Sequence, residues 1–316
     1  MPAALFHNPK RPSRVSVAQL ECLEGRRLLA ARAAAIRIVE VEANGAVELQ
    51  ITGTSRADTL KISDTGTDAA GNITLTYGNG KTYKSKKAVD SVLFLGGRGR
   101  DHVVYDLASD LSAARTVNIN LGQGDDRFDA SVTGAIIATN ASLNLQAYGN
   151  QGNDTLTYNQ TGATRAGIVF PFLSGDVGND TITYTNTGNI DTAGKVGPAL
   201  VGGGGNDVLS ANQAGVISGT YMHNLTLVGG IGNDTLNQVV AVKAGSKGKL
   251  GESATLPGQV DGGVGNDQIT YSVLVDSTVT GMPINTKVTG GAGSDRVQRT
   301  PNVTGDSSNE TDILLS

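Results

Sequence analysis

Residues 229–236 read Gly-Gly-Ile-Gly-Asn-Asp-Thr-Leu, and residues 262–269 read Gly-Gly-Val-Gly-Asn-Asp-Gln-Ile. Aligning every copy of this phrase on its last aspartate gives Asp101, Asp126, Asp154, Asp180, Asp207, Asp234, Asp267 and Asp295, at intervals of 25, 28, 26, 27, 27, 33 and 28 residues. A period of about 27 marks a solenoid, because one such unit can bury its apolar face only against its neighbours. Seven residues before the aspartates stand Phe94, Ile119, Ala147, Leu173, Leu200, Leu227, Val260 and Val288. Two residues after them stand Val103, Phe128, Leu156, Ile182, Leu209, Leu236, Ile269 and Val297. All of these are apolar in a chain whose hydrophobic share is 38%. Alternate residues of a strand face one side, so these sets are inward-pointing ladders of two strands that flank a turn. Two before each aspartate is always a glycine, which marks backbone that needs positive φ or approaches a neighbour too closely for a Cβ. The repeat predicts an all-β chain, a right-handed parallel β-helix with one Gly-Gly-x-Gly-Asn-Asp turn per coil of about 27 residues.

The rest of each coil is less regular. Tyr105, Tyr158, Tyr184 and Tyr271 sit four after the aspartate, on the face of the inward ladder. The remaining residues vary in length and predict a third short strand and a loop, with Val216-Ile217-Ser218 as an example. Upstream, Ile36 to Ile51 reads as two strands around Ala43-Asn44-Gly45, and residues 72–83 read as a hairpin around Gly78-Asn79-Gly80. Asp58 closes a degenerate ninth copy. These patterns divide the chain into a targeting or capping segment at 1–35, an N-terminal β segment at 36–95, the solenoid at 96–299 and a polar, loose tail at 300–316.

Composition narrows the function. Glycine accounts for 43 of 316 residues, and charged residues for 17%, with a net charge of −4. Lys and Arg cluster before residue 40, so the repeats are more acidic than the whole chain and show no basic footprint for nucleic acid. One cysteine, Cys22, excludes an intrachain disulfide. No apolar run is long enough for a transmembrane helix.

Stacked coils lie about 4.8 Å apart, which places one carboxylate per coil in a row. Unit charges at such spacing repel by about 1 kcal/mol per pair in water and more where water is excluded. A hard divalent cation reverses the sign of that interaction, and Ca²⁺ accepts six to eight oxygens in irregular geometry. Gly-Gly-x-Gly-x-Asp-x-apolar also resembles the nonapeptide of the RTX, or haemolysin-type, calcium-binding repeats. The resemblance implies Ca²⁺ held by Asp101, Asp126, Asp154, Asp180, Asp207, Asp234, Asp267 and Asp295. It adds the loop carbonyls of Gly203, Gly205, Gly230, Gly232, Gly263 and Gly265. This chain departs from the family in having one phrase per coil rather than tandem copies. Arg98 and Arg100 flank Asp101, while Asn150 and Asp176 replace the second glycine of their copies. The best sites are therefore expected between Asp180 and Asp267.

Residues 23–30, Leu-Glu-Gly-Arg-Arg-Leu-Leu-Ala, resemble the LEPR-XLL motif of large exported bacterial proteins, with Gly25 as the departure. That resemblance implies an extracellular or cell-surface destination and partners in the envelope or extracellular matrix. Residues 310–316, Glu-Thr-Asp-Ile-Leu-Leu-Ser, resemble a type I secretion tail and read equally as a last strand. His7, His102 and His223 lie in unrelated positions, and no acid–base cluster stands out. The expectation is thus a non-enzymatic Ca²⁺-binding solenoid. Two alternatives remain: a metal-independent structural or adhesive solenoid, in which Asn and Asp simply close turns, and a β-helix enzyme acting on polysaccharide.

Overall fold

The computed structural model describes residues 35–218, 220–221, 225–250, 258–279, 286–299, 304–305 and 310–314. The motif at residues 23–30, Cys22, His7 and His223 fall outside the described residues.

Two long parallel sheets enclose the core, and the Gly-Asp turns join them along one edge. The leading sheet stacks Ala46–Thr52, Ser91–Arg98, Ala114–Gln123, Ser142–Gln151, Thr164–Val177, Ala199–Gly204, Thr226–Ile231, Gly258–Val264 and Thr286–Ala292. The return sheet stacks Thr59–Asp64, His102–Leu107, Arg127–Val132, Thr155–Gln160, Thr181–Asn186, Val208–Gln213, Thr235–Val242, Gln268–Val275 and Asp295–Arg299. The result is a β-solenoid of stacked coils of roughly 27 residues, and among the described residues there is no helix.

Register follows the sequence repeat. Leu173, Leu200, Leu227, Val260 and Val288 pair in file on the leading sheet. Ile182, Leu209, Leu236, Ile269 and Val297 do so on the return sheet. Every member of both predicted ladders is buried, and so are the four tyrosines. Tyr158 and Tyr184 stack with ring centroids 5.5 Å apart, a geometry favourable for aromatic rings. A one-residue slip would turn these side chains outward, so burial of the two ladders locks the register.

The third side is thinner than the sequence suggests. Leu111, Ile136 and Thr164 are linked by single parallel bridges, as are Ile190 and Ile217. Val216-Ile217-Ser218 therefore contributes one bridge rather than a strand. Among the described residues a fuller third side exists where Ile190–Val196 pairs with Thr164–Val177 and then with Thr220–Tyr221, which pairs in turn with Lys249–Leu250. This side absorbs the variation in coil length, because it closes the loop with the fewest cross-coil hydrogen bonds.

The first coil is the one at Asp58, since Ala46–Thr52 and Thr59–Asp64 already pair in parallel with the next coil. Both predicted hairpins form, and each covers an edge. Arg37–Ala43 runs antiparallel along Ala46–Thr52 through a turn with Asn44 at φ 54° and Gly45 at φ 82°. Ile73–Tyr77 runs antiparallel along Thr59–Asp64, with Lys81–Lys84 outermost. Charged outer strands discourage pairing with another chain. The insertion is tied down by a buried ion pair. Arg115 Nε donates to Asp64 Oδ2 at 2.8 Å, the same oxygen takes the Tyr105 hydroxyl at 2.9 Å, and Arg115 Nη2 reaches the Thr67 carbonyl at 3.0 Å. At the other end, Glu310–Leu314 pairs in parallel with Asp295–Arg299. Residues 310–314 thus form the last strand that the sequence also allowed, within a stretch otherwise read as loose.

The glycine two before each aspartate has φ between +124° and +157° in all eight copies. A Cβ there would strike backbone of the preceding coil, as at Gly205, where the obstacle is the carbonyl of Gly178. Gly204 beside it meets nothing closer than 3.9 Å. Gly205→Ala is expected to cost at least ~2 kcal/mol from positive φ and steric conflict. Gly204→Ala should change stability by no more than about 0.5 kcal/mol. Urea unfolding of the two variants checks this, and equal losses would refute the backbone argument.

Candidate functional site

The aspartates do not sit on an exposed loop edge. All eight are buried, at 1–3% exposure, with their side chains turned into the space under the turn. Their Oδ1 atoms form a ladder. Each accepts a hydrogen bond from the backbone N–H of the aspartate one coil earlier. Asp101 takes Asp58, Asp126 takes Asp101, and so on to Asp295, which takes Asp267, at 2.6–2.9 Å.

One residue before the aspartate a second, exposed ladder runs the opposite way. The amides of Asn179, Asn206, Asn233 and Asn266 donate to the side-chain oxygens of Asn153, Asn179, Asn206 and Asn233 in the coil before, at 2.6–2.8 Å. Asp125 starts this outer ladder and Ser294 ends it. The Asn-Asp pair is therefore a double stitch, one thread inside and one outside. The turn-closing role of these residues is real, but it acts between coils rather than within one.

The other carboxylate oxygen is different. Oδ2 of Asp101, Asp126, Asp154, Asp180, Asp207, Asp234, Asp267 and Asp295 is buried and has no hydrogen-bond partner. In every copy but that of Asp126 it faces the glycine five positions earlier. A Cβ at Gly202 would collide with Asp207 Oδ2 and with the carbonyl oxygen of Gly229 in the next coil. The same two oxygen types converge beside Gly149, Gly229 and Gly262. So the carbonyls that share these spaces with the orphaned oxygens are those of Gly175, Gly229, Gly262 and Gly290, which the family resemblance does not single out. The carbonyls of Gly203, Gly230 and Gly263 press instead on Gly230, Gly263 and Gly291 of the following coil, and those of Gly205, Gly232 and Gly265 on Gly232, Gly265 and Gly293.

Several copies that look degenerate keep the common backbone. Asn150 and Asp176 adopt φ of 76° and 72°, a left-handed conformation that Asn and Asp tolerate better than most residues. Arg98 and Arg100 are exposed, whereas Asp101, which follows them in sequence, is buried. The copy that does differ is the one at Asp126. Leu121, fully buried, stands where the other copies have glycine, so a side chain occupies the space beside this carboxylate. The signal was available, because Leu121 is the one non-glycine residue five before an aspartate in the aligned set.

Burial sets the electrostatics. It pushes Asp101 and Asp154 up to about 7 and Asp180, Asp207 and Asp267 up to about 6, against the downward pull of the amide each accepts. Asp126 and Asp234 are raised for the same reason. Neighbouring carboxylates add to the rise, for instance Asp126 on Asp101 and Asp180 on Asp207.

Two observations bear on a cation. The donors offered are all hard oxygens, carboxylate and carbonyl, which suit Ca²⁺ rather than a thiophilic metal. Among the described residues no three His, Cys, Asp or Glu side chains gather in one place. A cation on this edge would thus rely on one or two carboxylates and on backbone carbonyls. His102, on the outer face of the return sheet, hydrogen bonds to Asp129 at 2.8 Å, and Arg127 engages the same carboxylate. Comparisons with family models, curated proteins and solved structures return no match to this chain.

The buried carboxyls make stability depend on pH. Unfolded aspartates titrate near 3.9, whereas Asp101, Asp154, Asp180, Asp207 and Asp267 are pushed up to about 6 to 7 in the fold, so between these values the folded state holds more protons. The stability this gives is complete below about pH 3.9 and is lost as pH rises through about 6 to 7. In the presence of a chelator the melting temperature is expected to fall steadily from pH 5 to pH 8. A profile that rises over this range would show that the carboxyls are ionised in the metal-free fold.

Proposed function

We propose that this chain is a non-enzymatic β-solenoid that takes up Ca²⁺ along its turn edge and is stabilised by it. The observation that carries the reading is the file of eight buried Oδ2 atoms without partners. A buried polar atom ordinarily finds a partner, and a repeated orphan of one chemical type asks for a repeated ligand. Protons meet the need at low pH. At neutral pH a divalent cation meets it better, because it neutralises the carboxylates and accepts carbonyl oxygens as well.

Asp180, Asp207, Asp234 and Asp267, the last three with the carbonyls of Gly229, Gly262 and Gly290, would hold the ions. When bound, Ca²⁺ supplies charge neutralisation and links adjacent coils. The coil at Asp126 is the poorest candidate, since Leu121 fills the space beside its carboxylate. Such sites, with dissociation constants of about 10⁻⁴ to 10⁻³ M, fill at extracellular calcium levels and stay empty in a calcium-poor cytoplasm. Each filled site then stabilises the fold by mass action. This supports a place outside the cell or on its surface, as do the exported-protein motifs of the sequence.

The metal-independent structural solenoid is favoured by a separate observation, the Oδ1-to-amide ladder, which holds the coils together with no ion present. The two readings part on substitution. Asp207→Asn and Asp234→Asn keep the Oδ1 acceptor and place a neutral N–H₂ at the orphaned position. At pH 7.5 the native chain is expected to melt higher in calcium than in EGTA by several degrees, and the two variants should lose much of that difference. A melting temperature that calcium leaves unchanged would sink the calcium reading, and variants as stable as the native chain would then support the structural one.

A further inference from the structure

The interior of the solenoid changes character along its length. Six residues after the aspartate the coils of Asp101 and Asp126 carry Leu107 and Val132, whereas the next three carry Gln160, Asn186 and Gln213, all fully buried. Gln160 is satisfied. It takes the Tyr158 hydroxyl at 3.0 Å and donates to the Gly162 carbonyl and the Thr164 hydroxyl, each at 3.0 Å. The next two are not. Asn186 spends its oxygen on the amide of Gly188 at 2.9 Å and leaves Nδ2 unpaired, while both Nε2 and Oε1 of Gln213 have no partner. One coil on, Gln238 Oε1 is also unpaired and buried.

These orphans sit where a large side chain is missing. Four after the aspartate the file runs Tyr158, Tyr184, Ala211, Gln238, Tyr271 in direct register. Ala211 stands between Tyr184 and Gln238, on the strand that carries Gln213. The chain offers its own comparison at Ala130, which lies between Tyr105 and Tyr158. There the neighbouring positions are Leu107 and Val132, apolar and buried, so a small residue in this file does not of itself bring polar groups with it.

We infer that the space beside Ala211 is a built hydration site, in which a short file of ordered water molecules bridges Asn186, Gln213 and Gln238 between coils. The polar groups match this ligand: two donors, Asn186 Nδ2 and Gln213 Nε2, and two acceptors, the Oε1 atoms of Gln213 and Gln238, lie on adjacent coils. Water both donates and accepts, and a buried water typically makes about three hydrogen bonds. An anion would be left against the acceptors and a cation against the donors. Genuinely empty cavities in proteins are apolar, and a space lined by these amides would be polar. The water file would pin three successive coils from inside, where the coils of Asp101 and Asp126 have Leu107 and Val132 at the corresponding place.

A high-resolution crystal structure of the full chain tests this directly. Water peaks are expected within about 2.7–3.2 Å of the Gln213 carboxamide and shared with Asn186 or Gln238. Cross-relaxation between water and the Gln213 carboxamide protons gives the same reading in solution. Gln213→Leu removes two anchors and is expected to lower the melting temperature by about 2–4 °C. Absence of bound water in the native crystal, or a Gln213→Leu variant that melts higher than the native chain, would overturn the inference and mark these amides as dry, unsatisfied groups. Ala211→Tyr should expel the water, and peaks that persist in that variant would place the site elsewhere.

Discussion

Everything along the turn edge depends on one bond, the hydrogen bond from an aspartate's backbone N–H to the carboxylate of the aspartate in the next coil. It brings an acidic group into the interior, where carboxyls are otherwise costly. The cost is contained because each carboxylate accepts an amide proton and can hold a proton of its own. The bond in turn constrains the backbone. For the carboxylate to reach the preceding coil, the turns must stack almost in contact, and contact at that distance leaves no room for a Cβ two positions upstream. The glycine pattern and the aspartate column are thus two expressions of one packing requirement.

That requirement also separates stability from binding. Oδ1 is committed to the fold, while Oδ2 is left over. A residue that does both jobs is hard to read by mutation, because replacing it with alanine removes the stitch together with any ligand. Asparagine is the informative change, since it preserves the stitch and removes only the charge. The outer Asn ladder runs in the reverse direction, so each coil is held to both neighbours even if one thread is cut.

Much of this was legible in the sequence, and for a simple reason. A solenoid makes its long-range contacts at a fixed sequence interval, so the partners of Leu209 are found by counting 27 residues either way. The inward ladders, the buried tyrosines and both hairpins could be read in that manner. The inward direction of the aspartates was legible too, since they share strand parity with the apolar residue two after and the tyrosine four after. It was hidden by the habit of placing charge outside. Leu121 could be seen only by asking which copy breaks the rule. The thin third side was not legible, because single bridges such as Leu111 with Ile136 impose almost no sequence pattern. Nor was the buried amide cluster around Gln213, whose meaning depends on the small Ala211 beside it.

The first coil shows what happens where the repetition stops. Asp58 has no earlier aspartate amide to receive, and its carboxylate folds back on its own turn, taking the Thr54 amide at 2.5 Å and the Thr54 hydroxyl at 3.1 Å. Every interior coil gives one stitch and takes one, so its needs are met by any neighbour of the same kind. A gene segment encoding a whole coil could therefore be duplicated or lost with no bond left unmet at the join. Insertion of a single residue in a turn would misalign every stitch beyond it. Growth by whole units, with the two ends kept distinct, is the mode of evolutionary change that this stitching permits.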